Sequence, residues 1–363
     1  MCNFVTMKER INWIDWVKAT CMTVVILCHC PQQEDTFHLQ YLASVILSSF
    51  FFVSGYLKKP LATNGATLKK YGYALLIPYL IYNVIYYPYW FAKFYIEHGA
   101  VSLTDGLKPI VGTILLQLNT DFSCELNGVT WFLPALFLMH WITDICNRRK
   151  YGWLLMLILS LICIILYGAN KFYHFAPFIT FHGFVRCLCF FFLGNLFRKS
   201  GIFMEQEDDT IEADFKISYL DHKIYLLIGI VTLILSILLF DWHINESNFP
   251  LHIILFYVVN FFSVSGIVYL FRGLDKLRFR IITVISEGTM IVFGLHRILI
   301  GIIDFAAEKL LHIEDITYNW YETVLIAVAI EAALIPLITV CRRKYPIMLG
   351  KRPSSQKALS TAA

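Results

Sequence analysis

Residues 151–168 read YGWLLMLILSLICIILYG, a stretch without one charged side chain, framed by Arg148, Arg149 and Lys150 before it and Lys171 after it. A helix rises about 1.5 Å per residue, so some 20 such residues cross the ~30 Å hydrocarbon layer of a bilayer. Further apolar runs extend outward in both directions, at 13–30, 39–57, 71–92, 129–147, 178–197, 224–241, 250–271, 281–302 and 322–341. The 363-residue chain is 58% hydrophobic and 15% charged, where soluble domains hold roughly 45–50% and about 25%. The pattern predicts an all-α membrane protein of about ten transmembrane helices in one bundle. Tryptophans such as Trp13, Trp131, Trp153, Trp242 and Trp320 stand near run ends, where headgroup-level anchors are expected. The first run lacks a small-residue cleavage site and reads as a retained span, not a signal peptide.

Loop charge sets the topology. With ten spans, 23 of the 30 Lys and Arg side chains fall in loops on one side, from Lys8 and Arg10 to the cluster between Arg342 and Lys357. The other side holds Lys93, Lys108, Lys171 and Lys309. The positive-inside rule then places both termini in the cytoplasm. The short apolar stretch 106–118 would spoil this asymmetry if it crossed, so it is expected as a re-entrant or surface helix. Residues 1–350 read as one transmembrane domain. The acidic stretch within 199–223 reads as a mobile cytoplasmic loop, and 351–363 as a disordered tail.

The net charge of +4 is spread over short loops, which gives no reason to expect a nucleic-acid partner. Most of the ten cysteines lie inside apolar runs and read as small hydrophobes, so no disulfide framework is expected. Cys28-His29-Cys30 does not suit a metal, because adjacent helical residues point in different directions. The sequence sets no oligomeric state.

Ionisable side chains inside a bilayer cost at least ~2.5–3.5 kcal/mol and call for a reason. The first run holds Asp15, Lys18 and His29; the ninth holds Ser286, Glu287, Thr289, His296 and Arg297. Arg186 lies in the sixth run and Glu331 in the tenth. Eleven residues make three helical turns plus about 20°, which puts Lys18 and His29 on one face. The opposite directions of the two spans put His29 and His296 at nearly one depth. A single histidine there would be an ordinary interfacial residue, and Asp15 with Lys18 a self-neutralising pair. Together with Arg186 these residues predict a shared polar interior.

The opening Arg10-Ile-Asn-Trp-Ile-Asp15-Trp-Val-Lys18, with His29 after ten intervening residues, resembles that of the membrane-bound acyltransferase 3 family, in particular its fucose O-acetylase-like branch. Phe51-Phe52-Val53-Ser54-Gly55-Tyr56-Leu57, Trp131-Phe132-Leu133, Arg186 with Phe190 through Gly194, and Ser286 through His296 extend the resemblance over nearly the whole chain. Many members carry Arg-x-x-Arg at the inner end of the third span. Lys69 and Lys70 stand there instead, and the resemblance lends them the donor-holding role.

The resemblance implies transfer of an acetyl group from acetyl-CoA to a hydroxyl of a cell-surface sugar or lipid-linked glycan. It implies an enzyme of a bacterial inner membrane, in contact with membrane lipids and without a metal. Within that reading His29 is the general base or a transient acyl carrier. Asp15, Lys18 and His296 complete the catalytic set; Lys69, Lys70 and Arg186 hold the donor; and Trp131, Arg297 and Ser286 meet the acceptor. Ten spans around a polar interior equally suit a transporter or flippase for a glycan or lipid, although the inverted repeats common in such proteins are not visible.

Overall fold

A computed structural model describes residues 11–32, 36–173, 178–201, 222–311 and 316–352. Lys8, Arg10, the acidic side chains between Glu205 and Asp214, and the tail from residue 353 lie outside these.

Thirteen helices form among the described residues: α1 (Asn12–Leu27), α2 (Phe37–Tyr56), α3 (Asn64–Tyr71), α4 (Ile77–His98), α5 (Leu103–Ile114), α6 (Phe132–Asn147), α7 (Gly152–Tyr173), α8 (Ile179–Lys199), α9 (His222–Asn245), α10 (Phe249–Gly273), α11 (Arg280–Glu287), α12 (Thr289–Leu311) and α13 (Trp320–Lys344). Eight helical segments among these residues are long and apolar enough to span a bilayer. The first and third apolar runs correspond to α1, of 16 residues with two charges, and to tyrosine-rich α4. The protein is an all-α integral membrane bundle. A single π-helical turn, Gly72–Leu76, joins α3 to α4.

Helix α1 lies at the centre, packed against α2, α10, α11, α12 and α13. Its first turn has no side-chain cap of its own. The loop after α10 supplies one: Asp275 accepts the Trp13 amide at 2.7 Å, and Asn12 Nδ2 donates to the Asp275 and Leu277 carbonyls. Trp13 is fully buried, its ring 5.3 Å from that of Tyr56, so it packs the core rather than anchoring at the headgroups. Trp153, Trp242 and Trp320 are exposed, as interfacial anchors are.

Helices α2 and α8 meet at backbone distance through two glycines. A Cβ at Gly55 would stand 1.9 Å from the Phe191 carbonyl oxygen, and one at Gly194 would stand 2.0 Å from that of Phe52. Small residues serve this purpose in membranes, where close van der Waals packing replaces a hydrophobic drive between helices.

The stretch 106–118 forms α5 and the turn after it. At about 18 Å its 12 residues are too short to cross. Leu103, Leu107, Ile110 and Ile114 are exposed and recur at helical spacing. The chain then turns through Leu116 and Gln117, both at positive φ. Buried Gln117 holds this turn by donating to Thr130 Oγ1 at 2.9 Å and Asn83 Oδ1 at 3.3 Å. Asn127 in the same network donates to the Gly294 carbonyl at 3.1 Å, fixing α12 two residues before His296.

Near the basic end, Lys58 is buried and pairs with Asp144 at 2.7 Å. Thr67 Oγ1 donates to the same carboxylate at 2.8 Å. Burial lowers the Lys58 pKa, while the hydrogen bond and charge of Asp144 oppose the shift. This pair ties α2 and α3 to α6.

Gly55→Ala is expected to force α2 and α8 apart, losing roughly 1–3 kcal/mol by overpacking, seen as a lower melting temperature in detergent. Lys58→Met leaves the Asp144 carboxylate buried without its cation and should cost about 3–5 kcal/mol. The double variant Lys58→Met with Asp144→Leu should recover most of that loss in the same melting assay.

Candidate active site

A break in a helix starts the site. The apolar run 281–302 predicts one continuous span, but the chain forms α11, stops at Gly288 and restarts as α12. Gly288 also makes room for α13, since a Cβ there would stand 2.3 Å from Ile338 Cδ1. A helix interrupted within the protein interior needs partners for the backbone groups at the break. Lys18 Nζ donates to the Ser286 carbonyl at 2.7 Å, and Thr289 Oγ1 donates to it at 2.6 Å. Ser286 Oγ donates to Asp15 Oδ1 at 2.7 Å. Three predicted site residues on two elements thus form one clasp.

The clasp lines a cavity of about 650 Å³, within the roughly 300–1,000 Å³ usual for small-molecule sites. Lys59, Arg198 and Lys351 line it at the basic end of the bundle, Arg198 in the last turn of α8, Lys59 three residues after α2 and Lys351 seven residues after α13. Asp15, Lys18, Ser286 and Thr289 form its polar wall. Met22, Val25, Phe132 and Phe293 line its apolar far end. There the Phe132 ring lies 5.7 Å from Phe50 and 5.5 Å from Phe293.

His29 and His296 are hung from the residues at that far end. His29 Nδ1 donates to the Val25 carbonyl at 2.7 Å, and His296 Nδ1 donates to the Val292 and Phe293 carbonyls, each at 3.0 Å. The two ring centroids are 5.1 Å apart, edge to face. A ring that donates through Nδ1 keeps its lone pair on Nε2 when neutral. His296 is fully buried, and its Nε2 has no hydrogen-bond partner among the described residues. His29 is exposed.

The sequence spacing predicts one continuous helical face from Lys18 to His29. Helix α1 instead ends at Leu27, and His29 occupies a tightened turn in which its amide donates to the Ile26 carbonyl at 3.0 Å. Lys18 lines the cavity, whereas His29 lies beyond the lining residues. Arg297 follows His296, is exposed, and lies within electrostatic reach of His29, Tyr86 and Tyr89.

Other predicted residues lie apart from the cavity lining. Lys69 and Lys70 sit exposed on α3, with Lys70 Nζ 5.0 Å from the Tyr71 ring centre and the Lys69 carbonyl accepting from Arg352 at 3.2 Å. Trp131 packs on Gly183, where a Cβ would come 1.8 Å from its ring. Arg186 donates to the Ser44 carbonyl at 2.9 Å and lies 4.8 Å from the Phe256 ring centre, on another part of α8. Sequence reasoning counted Lys59, Arg198 and Lys351 among the inner charges without singling them out. Only the three-dimensional convergence of three helix ends distinguishes them.

Comparison with known families gives one match. The model of the acyltransferase 3 family, described as an acyltransferase domain, matches residues 11–339. No curated protein and no solved structure matches the chain. The matched segment contains the clasp, both histidines and almost all of the cavity lining. With the membrane bundle described above, this match means that the chain belongs to the acyltransferase 3 family and is a membrane acyltransferase.

Proposed function

We propose that this acyltransferase moves an acetyl group from acetyl-CoA to a hydroxyl of a cell-surface sugar or lipid-linked glycan, as in the fucose O-acetylase-like branch it resembles, in a bacterial inner membrane. One observation carries the reading: two histidines 5.1 Å apart, each keeping Nε2 as its lone-pair nitrogen, adjoin the far end of a cavity that is basic at its other end. Coenzyme A is a polyanion. Lys59, Arg198 and Lys351 offer its phosphates charge-assisted contacts, with Lys69 and Lys70 nearby on the same face attracting it from solution. The pantetheine arm would then run along the wall formed by Asp15, Lys18 and Ser286 and bring the thioester toward Val25 and Phe293.

His29 Nε2 would take the proton of the acceptor hydroxyl as that oxygen forms its bond to the thioester carbonyl carbon. The carbon–sulfur bond then breaks, and the thiolate takes the proton back from the His29 imidazolium. Buried His296 would hold the partner ring, and Arg297 would orient the acceptor or stabilise the oxyanion. Trp131 fixes the start of α6 beside this region.

A covalent route is favoured by one specific feature. His29 is exposed and absent from the cavity lining, so donor and acceptor would approach it from different sides. In that route Nε2 attacks the thioester and the thiolate leaves; the sugar hydroxyl then takes the acetyl group from the ring.

His29→Ala is expected to reduce thiol release from acetyl-CoA by about 10²–10⁴-fold, measured on the purified chain in nanodiscs. Release near the wild-type rate would sink both routes. Trapping an acetylated His29 by rapid acid quench and peptide mass spectrometry would select the covalent one. Ser286→Ala should lower the melting temperature by removing a donor from buried Asp15, a loss of about 1–3 kcal/mol.

A further inference from the structure

The outer ends of α7 to α10 hold a second basic cluster that the acyl-transfer reading does not use. Lys171 stands two residues before the end of α7, His182 three after the start of α8, His243 two before the end of α9, and His252 three after the start of α10. All four therefore lie within about one helical turn of the surface. Lys171 Nζ donates to His252 Nε2 at 3.1 Å, and His252 Nδ1 donates to the His243 carbonyl at 3.1 Å. The His243 and His252 ring centroids are 4.0 Å apart. Phe256 joins this group to Arg186 below: its ring lies 4.8 Å from the guanidinium and 6.0 Å from His243.

No ion pair among the described residues involves Lys171 or Arg186, and the carboxylate sensed by His252, Glu246, accepts from Trp242 Nε1 and the Asn248 amide. Two polar atoms, Arg186 Nε and Nδ1 of buried His243, have no hydrogen-bond partner among the described residues. Cationic groups in a membrane are expensive unless paired. Lys171 is exposed, so the group opens to the surface at headgroup level.

We propose that this cluster binds a phosphate group, presented by a lipid headgroup at the outer interface or free in solution. The Lys171 ammonium on α7, the Arg186 guanidinium on α8 and the His243 imidazole on α9 supply donors suited to a tetrahedral anion, with His252 on α10 holding Lys171 in place. Basic pockets between transmembrane helices bind lipid phosphates in the same way.

The test is native mass spectrometry of the full chain in detergent, exposed separately to phosphatidylglycerol, to a monogalactosyl diacylglycerol with the same acyl chains, and to inorganic phosphate. Phosphatidylglycerol should be retained about tenfold more than the galactolipid. Lys171→Gln should remove that preference and Lys171→Arg restore it, while Arg343→Gln, an exposed change at the opposite end, leaves it intact. Phosphate adducts with the same dependence on Lys171, but no lipid preference, would assign the site to the free anion. Equal retention of both lipids without phosphate adducts would overturn the proposal, as would binding unaffected by both Lys171→Gln and His252→Gln. The readout is binding, so a failure of the acetyl-transfer reading leaves it unchanged.

Discussion

The bond from Lys18 Nζ to the Ser286 carbonyl lets a helix break exist inside the bundle. Ser286 is buried away from solvent, so a helix that stops at Gly288 and restarts must find partners for its backbone groups within the protein. Helix α1 supplies them at the cost of carrying Asp15 and Lys18 into the bundle, and α11 repays the carboxylate with the Ser286 hydroxyl. Each element makes the other tolerable. Neither side chain set would be stable facing hydrocarbon, which is why α1 lies at the centre of the bundle instead of at its rim.

From this clasp the remaining geometry follows in order. The break leaves the short α11 and the long α12 as separate helices beside α1, and residues of all three line the cavity. The turn after α1 and helix α12 then bring the rings of His29 and His296 to 5.1 Å of each other. Asn127 and Gln117, linked to the positive-φ turn after α5, brace α12 through the Gly294 carbonyl. At the basic end the Lys58–Asp144 pair fixes where α3 begins. A buried pair contributes little net stability against a well-packed apolar alternative; here it sets the position of the chain at the cavity mouth.

Much of this was legible in the sequence because bilayers impose coarse rules. Run length gave the helices, loop charge marked 106–118 as non-crossing, and unexpected polar residues marked Asp15, Lys18, Ser286, His29 and His296. Depth along a helix can be read from a sequence, but direction around the bundle cannot. Arg186 has nearly the depth of the site and points to Phe256 and Ser44 instead. Trp13 has the position of an interfacial anchor, yet its ring turns inward. The break at Gly288 was hidden for another reason: one glycine in an apolar run looks the same whether it permits close packing or ends a helix. Packing against Ile338 decides the matter, and Ile338 lies 50 residues away in the chain.

The fixed tautomers of the two histidines constrain proton traffic. Nδ1 of His29 is committed to the Val25 carbonyl and that of His296 to the Val292 and Phe293 carbonyls, and a carbonyl oxygen is too weak a base to accept and pass on that proton. A proton taken up at Nε2 must therefore leave from Nε2. The two rings thus present only their Nε2 edges for proton exchange.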